Sequence, residues 1–164
     1  MGTTKTGRVL NTKGSAGVAS EFAIVHSNEG AYTKPQNGNK IRLKSGGHGQ
    51  TGMNQLDRYG IKYNIVKTYP NGVRVGNIPT HKNKMKKTGT GQAWFPKNWT
   101  TKDIKHAGEH VANLRGNKHS KDGVTVFGNW KGVRVGVIKT NGKIATIFPD
   151  TKQPYSGRKR GKKK

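Results

Sequence analysis

Residues 124–148, VTVFGNWKGVRVGVIKTNGKIATIF, decide the fold. Three β-rich segments, VTVFGNW, VRVGVIK and KIATIF, are separated by Lys131-Gly132 and by Thr140-Asn141-Gly142, both turn-forming, so the stretch predicts an antiparallel meander. Upstream, Thr100 or Thr101 can cap a helix running through DIKHAGEHVANL to about Arg115, with Ile104, Ala107, Val111 and Leu114 on one face. Further back, IKYNIVKTY and VRVGNI flank Pro70-Asn71-Gly72 as a hairpin. Before them TGMNQLDRY places Met53, Leu56 and Tyr59 at helical spacing, with Gly60 as its stop. The order is helix, hairpin, loop, helix, meander. It predicts an α+β domain, a compact antiparallel sheet with helices on one side.

The 164 residues suffice for one domain. Residues 1–20 are mostly Gly, Ser, Thr and Lys and cannot offset their ordering entropy. The apolar run EFAIVH at 21–26, a strand or the start of a helix, leads into a polar stretch to Asn39. The expected division is a linker or arm over 1–40, a folded domain over 41–150 and a disordered basic tail over 151–164.

Thirty-two Lys and Arg against seven Asp and Glu give a formal net charge of +25, a field that attracts polyanions. Nucleic acid is the commonest such partner, because cations displace counterions from phosphates. A membrane surface fits less well, since the chain has no run of about 18 apolar residues and no basic amphipathic helix. With no cysteine, disulfides, thiolate catalysis and cysteine-rich zinc sites are excluded together. The N-terminus lacks the apolar core of a secretory signal, so an exported form would travel as part of something larger.

General acid-base chemistry at neutral pH falls to the six histidines. His48 lies in GGHG, where glycines let backbone approach a ligand and free the ring from packing. His81 opens a basic loop over 80–91 and is followed by Lys82, Lys84, Lys86 and Lys87, which would draw phosphate. His106 and His110 in HAGEH fit the H-x-x-E-H pattern of inverted zinc peptidases. Only Asp122 and Asp150 follow as further acidic ligands, and a solvated helix face accounts better for the pattern. His26 and His119 stand in no informative context and read as structural or surface residues. The seven carboxylates form no close pair, which favours cleavage without a metal ion or other cofactor. RNA permits it, because the ribose 2′-hydroxyl is a built-in nucleophile; DNA lacks it.

From Gly46 to Pro149 the chain resembles the bacterial EndoU nucleases found as C-terminal domains of polymorphic toxins, and among them those of LXG-type proteins. The matching pieces are GGHG, a second histidine leading a Lys/Gly loop into WFPKNWT, the DIKHAGEHVANL helix, and the closing strands ending Thr-hydrophobic-aromatic-Pro. The resemblance implies the compact fold shared with barnase-like and RelE-like ribonucleases. It implies His48, His81 and Thr146 as catalytic residues, Thr146 binding the scissile phosphate. Phe148 would stack on a base, and Lys82, Lys84 and Lys143 would contact the substrate. Two histidines usually stand closer together in this family; here a whole hairpin intervenes. The expected activity is toxic cleavage of RNA to 2′,3′-cyclic phosphate and 5′-hydroxyl ends, in the cytoplasm of a target cell, after secretion within a larger toxin. A cognate immunity protein would be acidic. The competing readings are a metal-dependent DNase on the same scaffold and a basic RNA-binding protein without activity.

Overall fold

A computed structural model of the chain describes residues 17–33 and 41–154. Among these residues lie helices α1 (Glu21–Glu29), α2 (Gln50–Arg58) and α3 (Thr101–Ala112), and strands β1 (Ala31–Tyr32), β2 (Leu43–Ser45), β3 (Asn64–Thr68), β4 (Arg74–Asn77), β5 (Gln92–Trp94), β6 (Thr125–Trp130), β7 (Val133–Thr140) and β8 (Lys143–Pro149). The class is α+β with antiparallel sheets. The strands form three small sheets, in the orders β1-β2, β3-β4-β5 and β6-β7-β8.

The closing meander forms because its turns hold the backbone where hairpins require it. Lys131 and Gly132 have φ of 49° and 78°, Asn141 and Gly142 of 55° and 76°, matching the twist of two-residue hairpins. Asp122 locks the second turn, its two carboxylate oxygens accepting from the N–H groups of Asn141 and Gly142 at 2.7 and 2.8 Å. One sheet face, carrying Val133, Val135, Val137 and Ile147, packs against Ile104, Ala107 and Val111 of α3. Helix α3 starts at Thr100, whose side chain and that of Asp103 cap each other's backbone N–H groups. A second cluster of Leu43, Met53, Leu56, Ile61, Ile78 and Trp94 joins α2 to the middle sheet. Strand β5 serves both clusters, with Trp94 turned to one and Ala93 to the other.

The arm expected over 1–40 is corrected here, because residues 21–29 are a helix within the folded body. Ser20 caps α1 by accepting from the Ala23 N–H at 3.1 Å. The buried face is small and polar, made of Ala23, Ser27 and Asn28, while Phe22 and Val25 point outward. Ser27 Oγ accepts from the Ile147 N–H at 2.8 Å and ties α1 to β8. The sequence before Gly17 and the segment SGRKRGKKK lie outside the described residues.

Candidate active site

The GGHG loop lies flat on the last turn of α1. The N–H groups of Gly47, His48 and Gly49 donate to the carbonyls of His26, Ser27 and Asn28 at 3.1, 2.6 and 3.1 Å. A Cβ on Gly46 would stand 2.2 Å from the His26 oxygen, and one on Gly49 would stand 1.8 Å from Asn28 Oδ1. The glycines therefore admit a helix rather than a ligand. They do not free the imidazole either: His48 is 3% exposed.

What holds the His48 ring also sets its chemistry. Nδ1 lies 2.8 Å from the Ala93 carbonyl, which can only accept, so Nδ1 carries the proton and Nε2 is left with its lone pair. Burial first, then the positive charge of Lys86, hold this histidine well below its ordinary pKa; the Ala93 bond opposes them, and His26 and His81 add to the depression. At neutral pH the ring is uncharged and basic at Nε2. The neighbouring strand adds Phe148, whose ring centroid is 5.7 Å away.

His26, read from sequence as a bystander, is the second histidine at this place. Its carbonyl receives the N–H groups of both Gly30 and Gly47, at 2.9 and 3.1 Å, and its Nε2 comes within 3.1 Å of where a Gly46 Cβ would stand. It is half-buried, lies stacked with Phe22, and is lowered in pKa by burial and then by Lys86. Lys86, also half-buried, ends a 3₁₀ turn over Lys84–Lys86; burial brings its pKa down to about 8. Its charge is felt by His26, His48 and His81 alike. In the sequence it is one lysine of a basic run.

His81 lies inside the basic loop. It is 0% exposed; Nδ1 accepts from the Asn83 N–H at 2.8 Å, and Nε2 is buried without a partner. Burial, helped by Lys86, Arg42 and Lys87, lowers its pKa to about 4. His81 is thus sealed in the basic loop much as His48 is sealed against α1. That loop is pinned by Lys82 N–H to the Leu43 carbonyl at 3.0 Å and by Ile78 N–H to the Lys86 carbonyl at 2.9 Å. Lys82 and Lys84 are exposed on it.

On β8, Thr146 and Phe148 are half-buried and share the face turned away from α3, as alternation requires. Lys143 begins the same strand, roughly 17 Å from Phe148 at about 3.4 Å per residue, so it stands apart from the group around His48. In HAGEH, His106 and His110 are exposed, and Glu109 is engaged by Lys105 at 3.0 Å and by the Ala19 N–H at 2.9 Å. Among the described residues no three His, Asp or Glu side chains are grouped to hold a metal ion.

The chain matches the family model of the bacterial EndoU nuclease over residues 21–151. The match starts at the first residue of α1 and so takes in His26, which the sequence comparison from Gly46 onward left out. Neither a curated protein nor a solved structure matches the chain.

Proposed function

The chain belongs to the bacterial EndoU nuclease family and is a nuclease; from that premise we propose that it is an endoribonuclease working by metal-independent transesterification. The observation that carries this reading is His48, its Nδ1 proton given to the Ala93 carbonyl and its Nε2 left basic, beside a second histidine and a lysine of depressed pKa. His48 takes the proton of a ribose 2′-hydroxyl, whose oxygen then bonds to the adjacent phosphorus. The bond from phosphorus to the 5′-oxygen breaks, and His26 supplies the proton that oxygen needs. His26 is suited to the acid role because it is the more exposed ring, and an arriving phosphate raises its pKa. Lys86, cationic at pH 7 with a pKa of about 8, offsets charge growing on the phosphate oxygens. Thr146 donates its hydroxyl to the same phosphate, and Phe148 stacks on a base.

The products are a 2′,3′-cyclic phosphate and a 5′-hydroxyl. The biological setting we propose is a toxin that inhibits competing bacteria, delivered as part of a larger secreted protein and neutralised by an acidic immunity protein. The +25 charge supports both partners, the RNA and the acidic inhibitor.

The test is cleavage of total RNA and of duplex DNA, each with and without EDTA, by the wild type and by His48→Ala and His26→Ala. Cyclic-phosphate ends on RNA, indifferent to EDTA and lost in both variants, are expected. EDTA-sensitive cuts in DNA would instead establish the metal-dependent reading, and intact nucleic acid throughout would mark a binding protein.

A further inference from the structure

The face of the β6-β7-β8 sheet opposite α3 continues outward from His48 as a row of flat groups. Phe127, Gly136 and Phe148 stand in one cross-strand register. Strand alternation turns them away from α3, toward which Gly128 and Ile147 face. The middle position is bare for a reason. A Cβ on Gly136 would meet the Phe148 ring at 2.7 Å and the Phe127 ring at 3.0 Å. Both rings lean over the middle strand and meet edge to face, centroids 6.3 Å apart. Beyond them the Arg134 guanidinium lies 4.5 Å above the Phe127 ring. Asp150 fixes it at 2.8 Å, and 41% of the Arg134 side chain is exposed. From His48 the order is Phe148, Phe127, Arg134.

Packing alone leaves this arrangement unexplained. The hydrophobic core lies on the other face of the sheet, yet two aromatic rings and an arginine are lined up on this one and remain partly open. Unpaired nucleobases stack on aromatic rings and on guanidinium planes, while a base within a duplex offers no free face.

We propose that Phe127 and Arg134 form a second nucleobase subsite, which holds the nucleotide next to those flanking the scissile phosphate and selects single-stranded RNA. The proposal rests on the nuclease reading above, with Phe148 as the neighbouring subsite. Arg134 supplies an exposed stacking plane, Phe127 backs it, and Asp150 keeps it from turning away.

The experiment compares cleavage of a dinucleotide, which cannot reach the subsite, with that of a single-stranded hexanucleotide, for the wild type, Arg134→Gln, Arg134→Lys and Phe127→Leu. In parallel, the binding of a fluorescent 2′-O-methyl hexanucleotide, which has no nucleophile, is followed by anisotropy. For both Arg134 variants kcat/KM on the hexanucleotide should fall about tenfold through KM, with the dinucleotide unaffected and binding of the 2′-O-methyl strand weakened in parallel. A lysine that restores full activity would reduce the role to charge and overturn the proposal, as would equal losses on both substrates or no loss on either. Phe127→Leu repeats the test if folding is perturbed at Arg134. Wild-type protein that binds the 2′-O-methyl strand through Arg134 but cuts no RNA would defeat the nuclease reading alone. Equal wild-type kcat/KM on the two lengths would defeat the subsite alone.

Discussion

Replacing Lys86 with methionine should make the protein more stable and less active at once. Burial lowers this lysine from 10.5 to about 8, and at 1.36 kcal/mol per pKa unit the folded state carries a cost of up to about 3 kcal/mol for holding it charged. The sign follows from proton binding. Between pH 8 and 10.5 the unfolded lysine keeps its proton while the folded one has lost it, so stability rises with pH in that window. The cost is full below about pH 8 and shrinks to roughly 1 kcal/mol by pH 9.5. Lys86→Met should therefore melt later at pH 7, by roughly 10 °C at most for a domain of this size. The gap to wild type should close as the pH approaches 10. Cleavage should drop about 100-fold or more, the cost of removing charge stabilisation from a transition state. Urea unfolding at pH 7 and 9.5, with initial rates on a short RNA, measures both. A variant that is destabilised at pH 7, or whose stability difference ignores pH, would refute the reasoning.

His81→Asn should weaken folding by about 1–3 kcal/mol through the lost contacts of a buried polar group yet leave kcat within a few fold; a folded variant that has lost cleavage would restore His81 to the catalytic set. The acid limb of kcat/KM should lie well under the ordinary histidine range, because burial and then Lys86 hold His48 unprotonated there; a limb at or above that range would exclude His48 as the base. Gly49→Ala should cost about 1–3 kcal/mol, because its Cβ would stand 1.8 Å from Asn28 Oδ1; thermal denaturation reads it directly, and an unchanged melting temperature would disprove the close seating of the loop on α1. Asp122→Ala, which removes two hydrogen bonds at the Asn141-Gly142 turn, should lower stability by about 1–3 kcal/mol and spare activity, as measured by chemical denaturation beside the cleavage assay.

The elements that repeat a period or carry a turn were legible in the sequence. The meander, the hairpin β3-β4, the capped α3 and the Met53-Leu56 helix stand where residue spacing put them. Helix α1 was not legible because its polarity is inverted: small and polar residues face inward, and Phe22 is 79% exposed. The place of His26 beside the GGHG loop was hidden with it, since nothing around EFAIVH announces chemistry. The burial of His81 was not legible, because a histidine beside lysines reads the same whether its ring is at the surface or sealed inside a pinned loop. The glycines around His48 suggest freedom in the sequence, whereas in the fold they serve contact with α1. The signal that could have found His26 is a helix that makes sense only if something polar packs against it, here the backbone of GGHG.

The bond between Ser27 and Ile147 spans 120 residues of chain, and His26 and Phe148 meet His48 from the two sides it joins. Emerging from a ribosome, the polypeptide therefore has His26 long before it has the strand that brings Phe148 to His48. A chain interrupted anywhere before β8 carries neither Thr146 nor Phe148. On the reading proposed above, cleavage therefore waits for β8: a nascent chain that already holds His26 and His48 gains its phosphate-binding hydroxyl and its base-stacking ring only with that strand.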